Sequence, residues 1–541
     1  MFKNFNLIRK NKDLFNNDNS DSNKIILIEY NNFNGSHLCQ ALLANFFKKK
    51  NPSKIVAYFN YSLIVSPLKI NFFQKLKWKI SILLNWGYKK IYKSFGVEEF
   101  LRPEISDEIT FRATKITQKF FSKKVKNKDI INLKINNIWI GDLMYDTYLK
   151  SRFVPTFDPN SKDFKFFFRE FLELFFFWKN YFKHHKVVKT IGVHSCYSYG
   201  IPLRLSAYRE IPTFVVNMRA VTKINKKVLS MYGDFKFHKK RFKKLNITIQ
   251  NQALKLAKIK LINRFKGAKG IQAQLFNRSK SSFSKIPDKS KRVISQNSKI
   301  KILICTHDFM DSIHVMGKNF FSDFYEWISF LGELSNKKCN EYDFYIKNHP
   351  NFGNKFERYQ KYTDNLVKEF CKKYTNIKQI SSSTSHHKII SEGIDIVLTV
   401  YGSVGIEYAY FGIPVINASR NNPHVNYQFN VNPKNRDDYE KILYNLKKIK
   451  LNINKKEIYE CYFMKHFYYD ENWLFDDYEV FLKKISGFQN IHTYKFYDYW
   501  EKNIDKAYVD KIYRRFNNFE NSLQCRLNIF DSNKENKIYN L

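Results

Sequence analysis

The chain reads as an α/β protein built from two Rossmann-like domains, and three observations carry that expectation. Short runs of aliphatic and β-branched residues alternate with helix-forming stretches, the pattern of a parallel sheet covered by helices. The alternation occurs twice, on either side of a polar, aperiodic stretch at 281–298, "SSFSKIPDKSKRVISQNS", read as an interdomain linker. At 541 residues the chain also exceeds what one hydrophobic core ordinarily serves.

After a polar leader at 1–20, the first domain is expected over 21–280. "KIILIEY" at 24–30 is a buried strand, "NNFNGSH" a loop, "LCQALLANFFKKK" a helix and "KIVAYFN" the partner strand. The stretch from about 70 to 100, with Trp78 and Trp86, mixes apolar and basic positions. It suits either a basic amphipathic helix on a membrane surface or packed helices with snorkelling lysines. "FKFFFREFLELFFFWKNYF" at 164–182 carries Arg169, Glu170 and Glu173, which argues against a membrane span and for a buried or interfacial helix. "VVKTIGVHS", "YGIPLRLSAYRE" and "IPTFVVN" repeat the strand–helix–strand scheme.

The second domain, 299–486, begins with the strand in "KIKILICTHDF". Strands then follow in "YDFYIKNHP", "IKQISS", "DIVLTV" and "IPVINAS", each separated from the next by a helical segment. In this architecture ligands bind at the carboxyl ends of the strands, so the loops there hold the site candidates. A tail at 487–541 is expected to be helical and to pack on the first domain or on a membrane.

Composition narrows the function classes. Lys and Arg outnumber Asp and Glu by 93 to 49, which favours an anionic partner. Most of that excess is lysine scattered among Asn, Ile, Phe and Tyr, and no RRM, KH or zinc-finger signature accompanies it, so nucleic acid is not the expected partner. Seven isolated cysteines with no C-x-x-C pair speak against a zinc site or a disulfide framework and for a reducing cytoplasm. The N-terminus lacks a secretory signal, and no uncharged run approaches the roughly 20 residues of a spanning helix. The expected location is cytoplasmic, peripheral on the inner membrane.

Four loops after predicted strands carry the chemistry. "CTHDFMDSIH" offers His307 and Asp308 as acid–base or sugar-binding groups, although Thr306 or Asp308 capping a helix is the plainer reading. "IKNHP" holds His349 at the sheet edge through its His-Pro step, with Lys347 beside it. "SSSTSHH" presents Ser382 and Ser383, or simply caps the next helix. "YGSVGIE" brings Gly402, Ser403, Val404 and Gly405 to a helix start, where exposed amides suit a phosphate, and places Glu407 in the first turn.

The succession from "KNHP" to "SSSTSHHKIISEGIDIVLTVYGSVGIEYAYFGIPVI" resembles the nucleotide-binding half of GT-B glycosyltransferases. It is most similar to the bacterial capsule and lipopolysaccharide group that includes Kdo transferases. More distantly, it resembles bacterial sialyltransferases and the glycerophosphotransferases of teichoic acid synthesis. The resemblance covers about 299–419. It implies a transferase moving a sugar from a nucleotide-activated donor, for example a CMP-linked one, to a surface polysaccharide or lipid-linked glycan, with no metal and no cofactor. His349 and Ser403 with the following amides would then hold the donor phosphate, and Glu407 the ribose hydroxyls. The pattern departs from retaining GT-B enzymes in having Val415 where a second glutamate would stand, and it has no Asp-Asp-Gly or Glu-Asp-Gly base motif. The general base is therefore sought in the first domain among Asp142, Asp146 and His194, with Asp308 as a further catalytic candidate and His37 and Arg204 as acceptor-binding residues. A CDP-glycerol-type phosphotransferase, a nucleic-acid-binding protein and a non-catalytic assembly scaffold are the rival readings.

Overall fold

A computed structural model of the chain describes residues 5–15, 23–59, 86–268, 281–284, 291–349, 357–449, 451–469 and 472–527. Most of the expected basic amphipathic stretch, part of the expected linker and the end of the tail lie outside the described residues. The chain divides at 233/234 and at 468/469. Residues before the first boundary and from 469 to 527 form one α/β unit, and those between the boundaries form the other, apart from a short excursion at 154–156.

The first unit is built on a six-stranded sheet. Its strands are β1 (Lys24–Tyr30), β2 (Lys54–Phe59), β3 (Val97–Leu101), β6 (Lys186–Gly192), β7 (Thr213–Asn217) and β8 (Ala220–Ile224). A separate hairpin of β4 (Lys134–Ile135) and β5 (Ile138–Trp139) lies between them in sequence. The sheet order is β3-β2-β1-β6-β7-β8, parallel except for the β7–β8 pair. β8 was not expected. Its turn is recognisable in retrospect, since the Asn217 side chain accepts from the amides of Arg219 and Ala220 at 3.0 Å each, a tight Asx-type reversal.

Every residue of the helix Asn34–Lys50 from Asn34 to Lys48 is buried, polar His37, Gln40 and Asn45 included. Such a helix needs cover opposite the sheet, and the segment after 468 supplies it. Phe46 meets Tyr513 and Phe516 edge-on at ring distances of 5.6 and 5.5 Å. The tail thus packs on this helix as two further helices, Tyr494–Asn503 and Lys506–Glu520.

The aromatic helix Lys162–His184 starts at Ser161, whose hydroxyl accepts from the Phe164 amide, and buries Phe164, Phe167, Phe168, Phe171, Phe175 and Trp178 at helical spacing. Its buried face meets the helix Asp107–Phe120, where Phe120 stacks on Phe168 at 4.8 Å and Arg112 lies over Phe176 at 4.4 Å. It is a core helix. Among the described residues no helix is long and apolar enough to cross a membrane.

The second unit has a five-stranded parallel sheet of β9 (Ile300–Cys305), β10 (Tyr342–Lys347), β11 (Ile377–Ile380), β12 (Ile396–Thr399) and β13 (Val415–Asn417), in the order β11-β10-β9-β12-β13. Each expected strand is present. The boundary between units differs from the expected one. The helix Ile247–Phe265 belongs to the second unit, burying Ile249, Ala253, Ala257, Leu261 and Phe265 as a four-residue ridge, and it packs on the helix Lys455–His466. The described part of 281–298 is likewise anchored rather than a free linker. Glu392 accepts from the amides of Val293 and Ile294 at 2.7 and 2.8 Å, the Tyr345 hydroxyl accepts from the Ser295 amide at 2.8 Å, and Ile294 is buried.

Candidate functional site

In the second sheet β9 has β10 on one side and β12 on the other, so the chain direction of build-up reverses between β9 and β12. The loops leaving these two strands therefore diverge and open a crevice at their carboxyl ends. The structure joins the two loops through His307. Its Nε2 lies 3.2 Å from the Thr399 hydroxyl and accepts from the Tyr401 amide at 3.4 Å. The Thr399 hydroxyl in turn accepts from the Gly402 amide at 3.2 Å. Since Nε2 accepts, the remaining ring proton is assigned to Nδ1. Burial, the neighbouring His349 and Lys465 push the His307 pKa down to about 3, so this imidazole is neutral at physiological pH. It can donate a hydrogen bond to a ligand but brings no charge.

His349 joins the same group. Its amide donates to the Thr306 hydroxyl at 3.3 Å, and the Thr306 amide donates to the Lys347 carbonyl at 3.1 Å, tying the end of β10 to the end of β9. The Lys347 side chain does not reach the crevice. It is buried and donates to the Ser382 carbonyl at 2.6 Å, and burial lowers its pKa to about 8. Lys347 is thus a strut under the loop after β11. Ser382 and Ser383 lie in that loop at the edge of the sheet, two strands from β9, with the Ser383 hydroxyl 2.8 Å from that of Ser381. Ser385 caps the helix His386–Ser391, the plainer of the two roles considered for this stretch. Asp308 stabilises its own turn by accepting from the Met310 amide at 3.1 Å, and Asp323, not Thr306 or Asp308, caps the following helix.

The loop "YGSVGIE" uses more of its amides internally than its sequence suggests. Besides Gly402, the Gly405 amide donates to the Gly402 carbonyl at 3.1 Å, leaving those of Ser403 and Val404 without an acceptor among the described residues. Both glycines are required by close approach. A Cβ on Gly402 would lie 2.8 Å from the Thr399 hydroxyl oxygen, and one on Gly405 would lie 2.4 Å from the imidazole of His424. Glu407 is buried and ion-paired, its Oε1 accepting from Arg264 Nε at 3.2 Å. Arg264 also donates to the Ser281 hydroxyl at 3.2 Å and lies over the Phe283 ring at 5.2 Å. Sequence reasoning missed Arg264, which lies 143 positions before Glu407 and is marked by no local pattern.

In the first unit the candidates separate. Asp142 and Arg204 are paired with each other, Nη1 to Oδ1 2.5 Å, and both are buried, with Arg204 also donating to the Trp139 carbonyl at 2.8 Å. A pair neutralised in this way is neither a general base nor an acceptor-binding cation. Asp142 and Asp146 lie in the helix Gly141–Arg152 after the β4–β5 hairpin, not at the end of a main-sheet strand, and Asp146 is buried too. His37 is fully buried, with Nδ1 2.7 Å from the Tyr497 hydroxyl and Nε2 3.0 Å from the Asn31 carbonyl. It fastens the tail to the helix Asn34–Lys50, and burial lowers its pKa to about 3, so it does not bind an acceptor. His194 lies in the loop directly after the main-sheet strand β6, next to β1, where Glu29 accepts from the Val193 amide at 2.9 Å.

The described residues hold two Rossmann-like units, one on a wholly parallel sheet and one on a sheet parallel but for β7–β8, and a helical C-terminal segment. No protein-family model and no curated protein matches the chain. Among solved structures, a glycosyltransferase from Rickettsia africae ESF-5 is similar at 12% identity over 90% of this chain and 100% of the other, with a TM-score of 0.24. A UDP-GlcNAc 2-epimerase from Neisseria meningitidis is similar at 11% identity over 81% and 97%, with a TM-score of 0.22. A wall teichoic acid polymerase is similar at 12% identity over 96% of each chain, with a TM-score of 0.18.

Proposed function

We propose that this protein is a glycosyltransferase that takes a sugar from a nucleotide-activated donor, for example a CMP-linked one, and adds it to a surface polysaccharide or lipid-linked glycan. The observation that carries the reading is the convergence of His307, His349, Thr399 and the Tyr401–Gly402 backbone at the strand-order reversal of the second sheet. A sugar nucleotide needs a crevice that offers neutral donors to its phosphate oxygens and an acceptor for its ribose hydroxyls. For the first requirement the reading relies on His307 Nδ1–H and the amides of Ser403 and Val404, with His349 beside them. The second is met by Glu407, with Arg264 fixing the carboxylate.

Asp142 is taken up by Arg204 and His194 Nδ1 already accepts from the Cys196 amide at 3.3 Å, so neither is assigned as the base that activates the acceptor hydroxyl. Side chains rather than a metal take up the charge of the leaving phosphate. The protein works in the cytoplasm on the inner face of the membrane.

A thermal-stabilisation screen against CMP, CDP, UDP and GDP tests the proposal and identifies the nucleotide. The expected result is one clear stabiliser among them. Stabilisation by CDP-glycerol with turnover of that compound would instead establish the phosphotransferase reading. No shift with any nucleotide would move the protein to the class of non-catalytic scaffolds.

A further inference from the structure

Beside the loop that follows β12 lies a cluster of polar side chains that the fold itself does not satisfy. His424 is fully buried, and neither ring nitrogen has a hydrogen-bond partner among the described residues. Asn430, 4% exposed, likewise leaves both its side-chain oxygen and nitrogen unpaired. The two side chains converge on Gly405, whose missing Cβ would lie 2.4 Å from His424 Cε1 and 2.7 Å from Asn430 Nδ2. Buried groups of this kind ordinarily find partners, because each left unmade costs about 1–3 kcal/mol.

The third member is Lys465, near the end of the helix Lys455–His466. Cys461, one turn earlier on the same face, approaches the Pro423 carbonyl at 3.8 Å, which sets this face beside the loop bearing His424. The same helix packs against Val404–Tyr410, which carries Glu407. Lys465 keeps partial solvent exposure and forms neither an ion pair nor a hydrogen bond among the described residues. Its charge lowers the pKa of His307 and, after burial itself, that of His424. The nearby carboxylate, Glu407, is already engaged by Arg264. An ammonium whose pKa burial lowers, offset by Cys461 and Glu407 and set beside unpaired polar side chains, suits a compact anion with several acceptor oxygens.

We infer that Lys465, with His424 and Asn430, forms the subsite for the phosphate of the nucleotide, a role that no motif of the sequence assigns to this helix. The inference rests on the nucleotide-donor reading above and extends it to the residues that grip the anion.

Calorimetric titration of the full-length protein with CMP and UDP, and with cytidine and uridine, tests it. For wild type the nucleotide should bind more tightly than its nucleoside. In Lys465→Met that difference should shrink by about tenfold or more, the range of a charge-assisted hydrogen bond, with nucleoside affinity unchanged. Lys465→Arg should retain most of it. Independently of any variant, saturating nucleotide should slow acetylation of Lys465 in wild type, read by mass spectrometry. Wild-type binding of a nucleotide with Lys465→Met binding it equally, or with Lys465 acetylated at an unchanged rate, would overturn the subsite and leave the donor reading standing. Absence of any nucleotide binding by wild type would overturn both.

Discussion

Arg264 and Glu407 stand 143 positions apart in sequence and meet as a buried ion pair, Nε to Oε1 3.2 Å. The pair gives the one carboxylate at the mouth of the Val404–Tyr410 helix a fixed orientation and a neutralising partner. A helix start alone favours an acidic residue by well under a few kcal/mol, whereas removing one partner of a buried pair costs about 3 kcal/mol or more. Arg264→Met is therefore expected to destabilise the second unit by about that amount and to weaken nucleotide binding as well. Denaturant unfolding of Arg264→Met, Glu407→Gln and the double variant measures it. A double variant close to either single one shows the coupling, and strictly additive losses would refute it.

Gly405 tests the close approach of His424. Gly405→Ala should cost about 1–3 kcal/mol through overpacking, because the new methyl meets the imidazole. Gly412→Ala makes a useful contrast. Gly412 has φ of +81° with nothing within 4 Å of a new Cβ, so its cost is backbone strain alone, about 1 kcal/mol. Unfolding midpoints of both variants, and of Gly405→Ala combined with His424→Ala, should show partial relief only in the combined variant.

The tail is locked by a histidine that folding keeps neutral. The His37 pKa falls from 6.5 in the unfolded chain to about 3 in the folded one. Between these values the unfolded chain binds the extra proton, so this contribution to stability is present above about pH 6.5 and is lost as pH falls towards 3. His37→Phe, which removes the titrating ring, should reduce the drop in melting temperature between pH 7.5 and pH 5. An undiminished drop would show that His37 is not the group responsible.

Glu170 has the opposite sign. Burial, then the charge of Glu173, raises its pKa from 4.5 to about 7. The folded state holds the extra proton between those values, so stability contributed here is lost as pH rises from 4.5 through 7. Glu170→Gln should melt higher than wild type at pH 8 and no higher at pH 4.5. Equal gains at both values would point to packing rather than titration.

The strands of the second unit were legible because parallel strands buried on both faces appear as short aliphatic runs, such as "KILIC" before His307 and "DIVLTV" before Tyr401. The loops after those strands were legible for the same reason, and the structure brings His307, His349 and Gly402 together. What remained hidden depends on partners distant in sequence. Nothing near Asp142 announces Arg204, and nothing near His37 announces Tyr497, so each appeared available for chemistry when it was already engaged. The 281–298 stretch reads as a linker by composition, yet a single carboxylate, Glu392, anchors two of its amides. Composition reports what a segment lacks in apolar surface, and it is silent about the acceptors a neighbour supplies.

The central claim is that a nucleotide sits where β9 and β12 end. Hydrogen exchange followed by mass spectrometry, with and without the nucleotide that most stabilises the protein, locates it directly. Slowed exchange is expected in peptides spanning 306–314 and 399–407, the loops that His307 joins through Thr399 and Tyr401. Protection confined to other segments, with both of these unchanged, would contradict it.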